Sequence, residues 1–107
     1  GDDVRAFFNG NEVLEYLEKD TPELMLIDYG LPDMDGQDLI EIIKTRGYDI
    51  PFVIITGRSD ITIAIDMMKM GAIDFVVKDE NFNDIFPVTV EKAKQRVLVK
   101  KQKNQFQ

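Results

Sequence analysis

Short apolar runs alternate along the chain with segments whose apolar residues recur every three or four positions. Val4–Phe8 is a short, mainly apolar segment ending at Asn9-Gly10, a turn signal. From Asn11 to Lys19, Val13, Leu14 and Leu17 follow at helical spacing, and Asp20-Thr21-Pro22 breaks that helix. Leu24–Ile27 is continuously apolar, as a strand buried on both faces requires. Gly30 to Gly36, with Pro32 and two glycines, reads as a loop. Gln37 to Arg46 carries Leu39, Ile40 and Ile43 on one face; Asp35 is placed to cap it and Gly47 to stop it. Phe52–Ile55 is a second buried strand, introduced by Pro51. A third helix is expected from Ser59 or Asp60, with Ile61, Ala64, Ile65 and Met68 in register and Gly71 as its stop. Ile73–Val77 is the last strand. The last helix is expected to start near Asp84, with Pro87 in its first turn and Phe86, Val90, Ala93 and Val97 facing the core.

Strand and helix thus alternate regularly. That pattern predicts an α/β fold, a doubly wound parallel sheet with helices on both faces. In such sheets ligands bind beyond the carboxyl ends of the strands. Three polar residues stand at those ends. Asp28 directly follows Leu24-Met25-Leu26-Ile27, Thr56 follows Phe52-Val53-Ile54-Ile55, and Lys78 follows Phe75-Val76-Val77. Singly, an Asp there is usually a turn former, a Thr closes a turn and a Lys is solvated. Their convergence on one edge is the signal.

Composition narrows the chemistry. The chain has 107 residues, enough for one domain, with a 44% apolar fraction typical of a folded one. It contains no Cys and no His, which excludes disulfides, thiolate or imidazole metal sites and a Ser-His-Asp triad within it. No apolar run approaches the length of a membrane span and no signal-peptide pattern is evident, so no membrane partner is expected and the cytoplasm is the default location. The net charge of −7 argues against direct nucleic-acid binding. Residues 1–90 hold 7 basic and 19 acidic groups, whereas residues 91–107 hold 6 basic and 1 acidic. The body is therefore residues 1–100, and residues 101–107 read as a basic polar linker or helix extension. Lys92 to Lys103 reads as a solvated helix; a dimer contact through Val97, Leu98 and Phe106 is the alternative, without the heptads a coiled coil needs.

A carboxylate, a hydroxyl and an ammonium at one edge suit phosphoryl transfer. The carboxylate can attack phosphorus to give an acyl phosphate. The lysine and hydroxyl can answer the charge on the phosphoryl oxygens. The stretch Leu26-Ile27-Asp28-Tyr29-Gly30-Leu31-Pro32-Asp33-Met34-Asp35-Gly36 resembles the phosphorylation loop of response-regulator receiver domains. Asn9-Gly10, Thr56-Gly57 and Gly71-Ala72-Ile73-Asp74-Phe75-Val76-Val77-Lys78 match that family in order and spacing, over about residues 4–100.

The resemblance implies a flavodoxin-like sheet and a set of roles. Asp28 matches the phosphoacceptor, Thr56 the switch hydroxyl and Lys78 the lysine that pairs with the acceptor. Phe75 matches the switch aromatic, although a strand aromatic is more often plain core. Asp28 and the Gly30 backbone carbonyl match ligands of Mg2+. The implied job is two-component signalling rather than enzymatic turnover. A histidine kinase or phosphotransfer protein would be the donor, with an output or sensor module in the same polypeptide.

Two departures from the family pattern stand out. Spacing from Gly10 to Asp28 fits only if Val4–Phe8 is the family's second strand. The family's first strand, the acidic pair that ends it and its first helix, roughly thirty residues, are then not in the sequence. Asp2-Asp3 precede the strand and are not that pair. The family's first strand lies mid-sheet, so buried backbone groups are expected to go unpaired, or a second copy to supply a strand. Second, Lys78 is followed by Asp79 and Glu80 where the family usually has proline, so a differently shaped loop is expected. These departures motivate an alternative, a receiver-like interaction module that is not phosphorylated. Two other readings fail. A calcium loop aligned on Gly36 would put apolar Leu31 and Ile42 at ligand positions, and a carboxylate phosphatase needs a second Asp where Gly30 stands.

Overall fold

The computed structural model describes residues 4–57 and 61–105. Ser59 and Asp60, expected to start the third helix, lie outside the described residues, as do Asp2, Asp3 and Phe106. The order is β1 (Val4–Phe7), α1 (Gly10–Lys19), β2 (Leu24–Asp28), α2 (Gly36–Thr45), β3 (Phe52–Thr56), α3 (Ile61–Lys69), β4 (Asp74–Val77) and α4 (Phe82–Gln105). All strand pairs are parallel and the spatial order is β1-β2-β3-β4.

The starts of α1 and α2 have local causes. Asn9, expected as a turn, is the N-cap of α1, its side chain accepting the Glu12 N–H at 2.8 Å. Asp35 caps α2 as expected, accepting the Asp38 N–H at 2.8 Å. Gly47 and Gly71 follow α2 and α3 at φ 91° and 105°, where a side chain would be strained.

The sheet separates two apolar layers. Val13, Leu17, Leu39, Ile40, Ile43 and Met67 of α1–α3 pack on Met25, Ile27, Phe52 and Ile54. On the opposite face Ala93, Phe86, Val90 and Val97 of α4 pack on Leu24, Leu26, Val53 and Val76. Helices on both faces are what the doubly wound prediction requires.

Three expectations change. Backbone pairing does not fail at β1. Val4 to Phe7 pair with Leu24 to Ile27 while the other edge of β2 pairs Met25 to Asp28 with Phe52 to Ile55. The α1 connection is long enough to bring β1 directly beside β2, which satisfies those groups. In α3 the buried stripe is Ala64 and Met67, whereas Ile65 and Met68 are 46% and 44% exposed. The helix is apolar on more than one side, so spacing alone did not select the stripe that faces the sheet. Finally, α4 starts at Phe82, which moves Pro87 beyond the first turn. Val97, offered as a dimer contact, packs on the sheet instead.

Candidate functional site

The three strand-end residues meet at one edge. Register pairs Asp28 with Ile55 and Thr56 with Val77, so Asp28, Thr56 and the start of the loop after β4 are brought level. Backbone bonds lock this alignment: the Tyr29 N–H donates to Ile55 O at 2.7 Å and the Lys78 N–H to Thr56 O at 2.8 Å. Asp28, Tyr29, Gly30, Thr56, Gly57, Ile63 and Lys78 line one open depression.

Within it the Lys78 ammonium hydrogen-bonds and pairs with Asp28 Oδ2. The Gly30 N–H donates to Asp28 Oδ1 at 3.0 Å. Both carboxylate oxygens thus accept hydrogen bonds, one from an ammonium and one from a backbone N–H. Thr56 lines the depression and is 3% exposed. Phe75 lies on β4 beside Ile54, 37% exposed and outside the depression. Val76 faces α4, so alternation puts Phe75 and Val77 on the opposite face, together with Ile54 and Thr56.

The loop between β2 and α2 closes tightly. The Gly36 N–H donates to Tyr29 O at 2.8 Å, and a Cβ on Gly36 would lie 3.0 Å from the Tyr29 Cα. Only glycine fits that approach without moving backbone. Sequence reasoning passed over Asp33, apart from testing it as part of a calcium loop. Its Oδ1 accepts the Gly10 N–H at 2.7 Å and its Oδ2 the Asn11 N–H at 2.9 Å. The Gly10 N–H chiefly, then those of Asn11 and Asp33 itself, hold this carboxyl below its ordinary value against an opposing desolvation cost. A carboxylate in a glycine- and proline-containing loop gives no sequence signal of which helix it reaches.

The second departure also has a local cause. Asp79 Oδ1 accepts the Asn81 N–H at 2.9 Å and Asp79 O accepts the Phe82 N–H at 3.1 Å. An Asp at this position therefore turns the chain from β4 into α4.

Receiver domains generally bind Mg2+, an ion that takes a near-octahedral set of oxygens. Among the described residues no group of three acidic side chains able to hold a metal gathers; Asp28 and the Gly30 backbone carbonyl are the groups at the depression that would hold such an ion, with water completing its shell.

A parallel sheet covered on both faces, with carboxylate, hydroxyl and ammonium at its carboxyl edge, defines a flavodoxin-like α/β fold with a polar site at its strand ends. Comparison with known proteins makes the assignment specific. The response regulator receiver domain family matches residues 1–89. The transcriptional regulator NtrC of Proteus hauseri is 34% identical over 100 residues, 94% of this chain and 21% of that protein. The regulatory protein LuxO of Vibrio cholerae is 34% identical over 76 residues, 71% of this chain and 17% of that protein. The crystal structure of the receiver domain of NtrX from Brucella abortus superposes with a TM-score of 0.70 at 27% identity, covering 87% of this chain and 78% of that one. This chain belongs to the response-regulator receiver domain family. It spans about a fifth of the length of the curated relatives it matches.

Proposed function

We propose that this chain accepts a phosphoryl group on Asp28 from the phosphohistidine of a histidine kinase or phosphotransfer protein, and signals by a change of surface. The observation that carries the reading is the Asp28–Lys78 pair above the buried Thr56. An Asp28 oxygen forms a bond to phosphorus as the P–N bond of the donor breaks, and the leaving nitrogen keeps the electron pair. Lys78 then pairs with a phosphoryl oxygen and the Thr56 hydroxyl donates to another. The Thr56 hydroxyl turns toward the phosphoryl group and Phe75, on the same sheet face, follows it; their shared face supports this reading. Hydrolysis reverses the state: water attacks phosphorus, the bond to Asp28 breaks, and phosphate leaves with the proton passed to solvent.

On this reading the chain turns over no separate substrate. It acts in the cytoplasm and does not touch nucleic acid or membrane. An output or sensor module in the same polypeptide, or a second copy, reads the altered surface. Among the described residues no helix is long and apolar enough to cross a membrane.

A second reading, a receiver-like interaction module without phosphorylation, is favoured by Asp79 standing after Lys78 where the family usually has proline. One experiment separates them. The protein is treated with acetyl phosphate and Mg2+ and its intact mass is followed. We expect wild type to gain one phosphoryl group and Asp28→Asn none. No gain in wild type, or an equal gain in Asp28→Asn, supports the second reading instead.

A further inference from the structure

Asp33 sits midway along the loop from Asp28 to α2, yet its carboxylate is spent on α1. Gly10 and Asn11 carry the first two N–H groups of α1, which have no partner inside the helix. Asp33 takes both, one on each oxygen, and the Asn9 side chain takes the third, that of Glu12. These are charge-assisted bonds at the positive end of a helix. The neighbouring Met34 covers the same spot: a Cβ on Gly10 would lie 2.5 Å from the Met34 Sδ. Gly10 thus leaves the space into which the loop is drawn. The loop is fastened at three places, at Asp28 through the Gly30 N–H, at α1 through Asp33, and at its own end where the Gly36 N–H reaches Tyr29 O.

We propose that Asp33 is a positioning residue for phosphoryl transfer, holding the loop on α1 so that the Gly30 N–H stays aimed at Asp28. The inference rests on the reading of Asp28 as acceptor. Asp33 touches no reacting atom; it acts through the backbone between residues 29 and 33. Gly47 and Gly71 end helices, but Gly30 has no such duty: a Cβ there would meet only Asp28 Oδ1, at 3.8 Å. Before Gly30 the chain is fixed at Tyr29, whose N–H reaches Ile55 O and whose carbonyl accepts the Gly36 N–H; after Gly30 it is fixed by the Asp33 carboxylate on α1.

The test uses the whole chain as wild type, Asp33→Ala and Asp33→Asn, with two readouts. One is the rate of mass gain with acetyl phosphate and Mg2+. The other is amide hydrogen exchange at Gly10, Asn11 and Gly30, with Ile54 as a core control. In Asp33→Ala we expect phosphorylation to slow, by up to about 100-fold for a displacement of about 1 Å. Exchange should quicken at Gly10, Asn11 and Gly30 but not at Ile54. Asp33→Asn keeps one acceptor oxygen and should recover part of both effects. A purely structural cap would quicken exchange at Gly10 and Asn11 alone. Unchanged Gly30 exchange, or an undiminished phosphorylation rate, in Asp33→Ala overturns the proposal. If Asp33→Ala does not fold, Asp33→Asn decides, and behaviour equal to wild type in both readouts overturns it. If wild type gains no mass, the acceptor reading has failed separately; faster Gly30 exchange in Asp33→Ala still upholds the anchoring, and unchanged exchange overturns it.

Discussion

Asp28 has both oxygens committed before any donor arrives, one to an ammonium and one to a backbone N–H. On the proposed function, removing the ammonium takes away charge that the transition state needs more than the ground state does. Lys78→Ala should therefore slow acetyl-phosphate-dependent mass gain about 100-fold, a typical cost for one such donor. A loss under threefold would show that Lys78 serves only the resting pair. Asp33 yields a prediction in pH. Its carboxyl is held below the ordinary value in the folded protein, chiefly by the Gly10 N–H, so its contribution to stability is present above the unfolded value and lost as pH falls through the lowered one. The gap in thermal midpoint between wild type and Asp33→Asn should accordingly narrow from pH 7 toward pH 3; a constant gap would refute the linkage. At this scale Asp28, Thr56 and Lys78 were legible because each ends an apolar run. Asp33 was not, because its partners lie 23 and 22 residues away on another helix.

Helices show where periodicity informs and where it does not. The stripes on α1 and α2 were readable because their opposite faces are charged. That contrast is weak in α3, and the stripe assigned from spacing was rotated from the one that packs. The α4 boundary moved because the Asp79 turn, invisible to periodicity, starts the helix at Phe82. Pro87 then falls inside the helix, where it supplies no N–H to the carbonyl of Asn83. Pro87→Ala should stabilise the protein by roughly 1–3 kcal/mol, read from chemical denaturation, since the interior position restores one hydrogen bond. A destabilised variant would mean that the ring's packing outweighs the missing bond. Elements also hold one another at a distance: the Tyr48 hydroxyl, after α2, donates to Leu17 O near the end of α1 at 2.8 Å.

The whole sheet was legible in class and not in detail. Alternation predicted parallel strands with helices on both faces. It gave no information on whether β1 pairs directly with β2, because that depends on what lies between them in space. The pattern did identify the centre, where Ile54 is fully buried between β2 and β4, but it carried the first strand one residue too far: β1 ends at Phe7 and Phe8 is 81% exposed. Ile54→Ala should cost about 2–5 kcal/mol and Phe8→Ala under about 0.5 kcal/mol in the same denaturation experiment. Comparable losses at the two sites would contradict the layering. One face of this molecule is covered by three helices and the other by α4 alone. That lone helix has 24 residues, is about 36 Å long at 1.5 Å per residue, and begins four residues after Lys78. Its first turn lies close in sequence to Lys78, so a tilt of about 5° about that end would sweep the Gln105 end through roughly 3 Å, simple trigonometry on the same length.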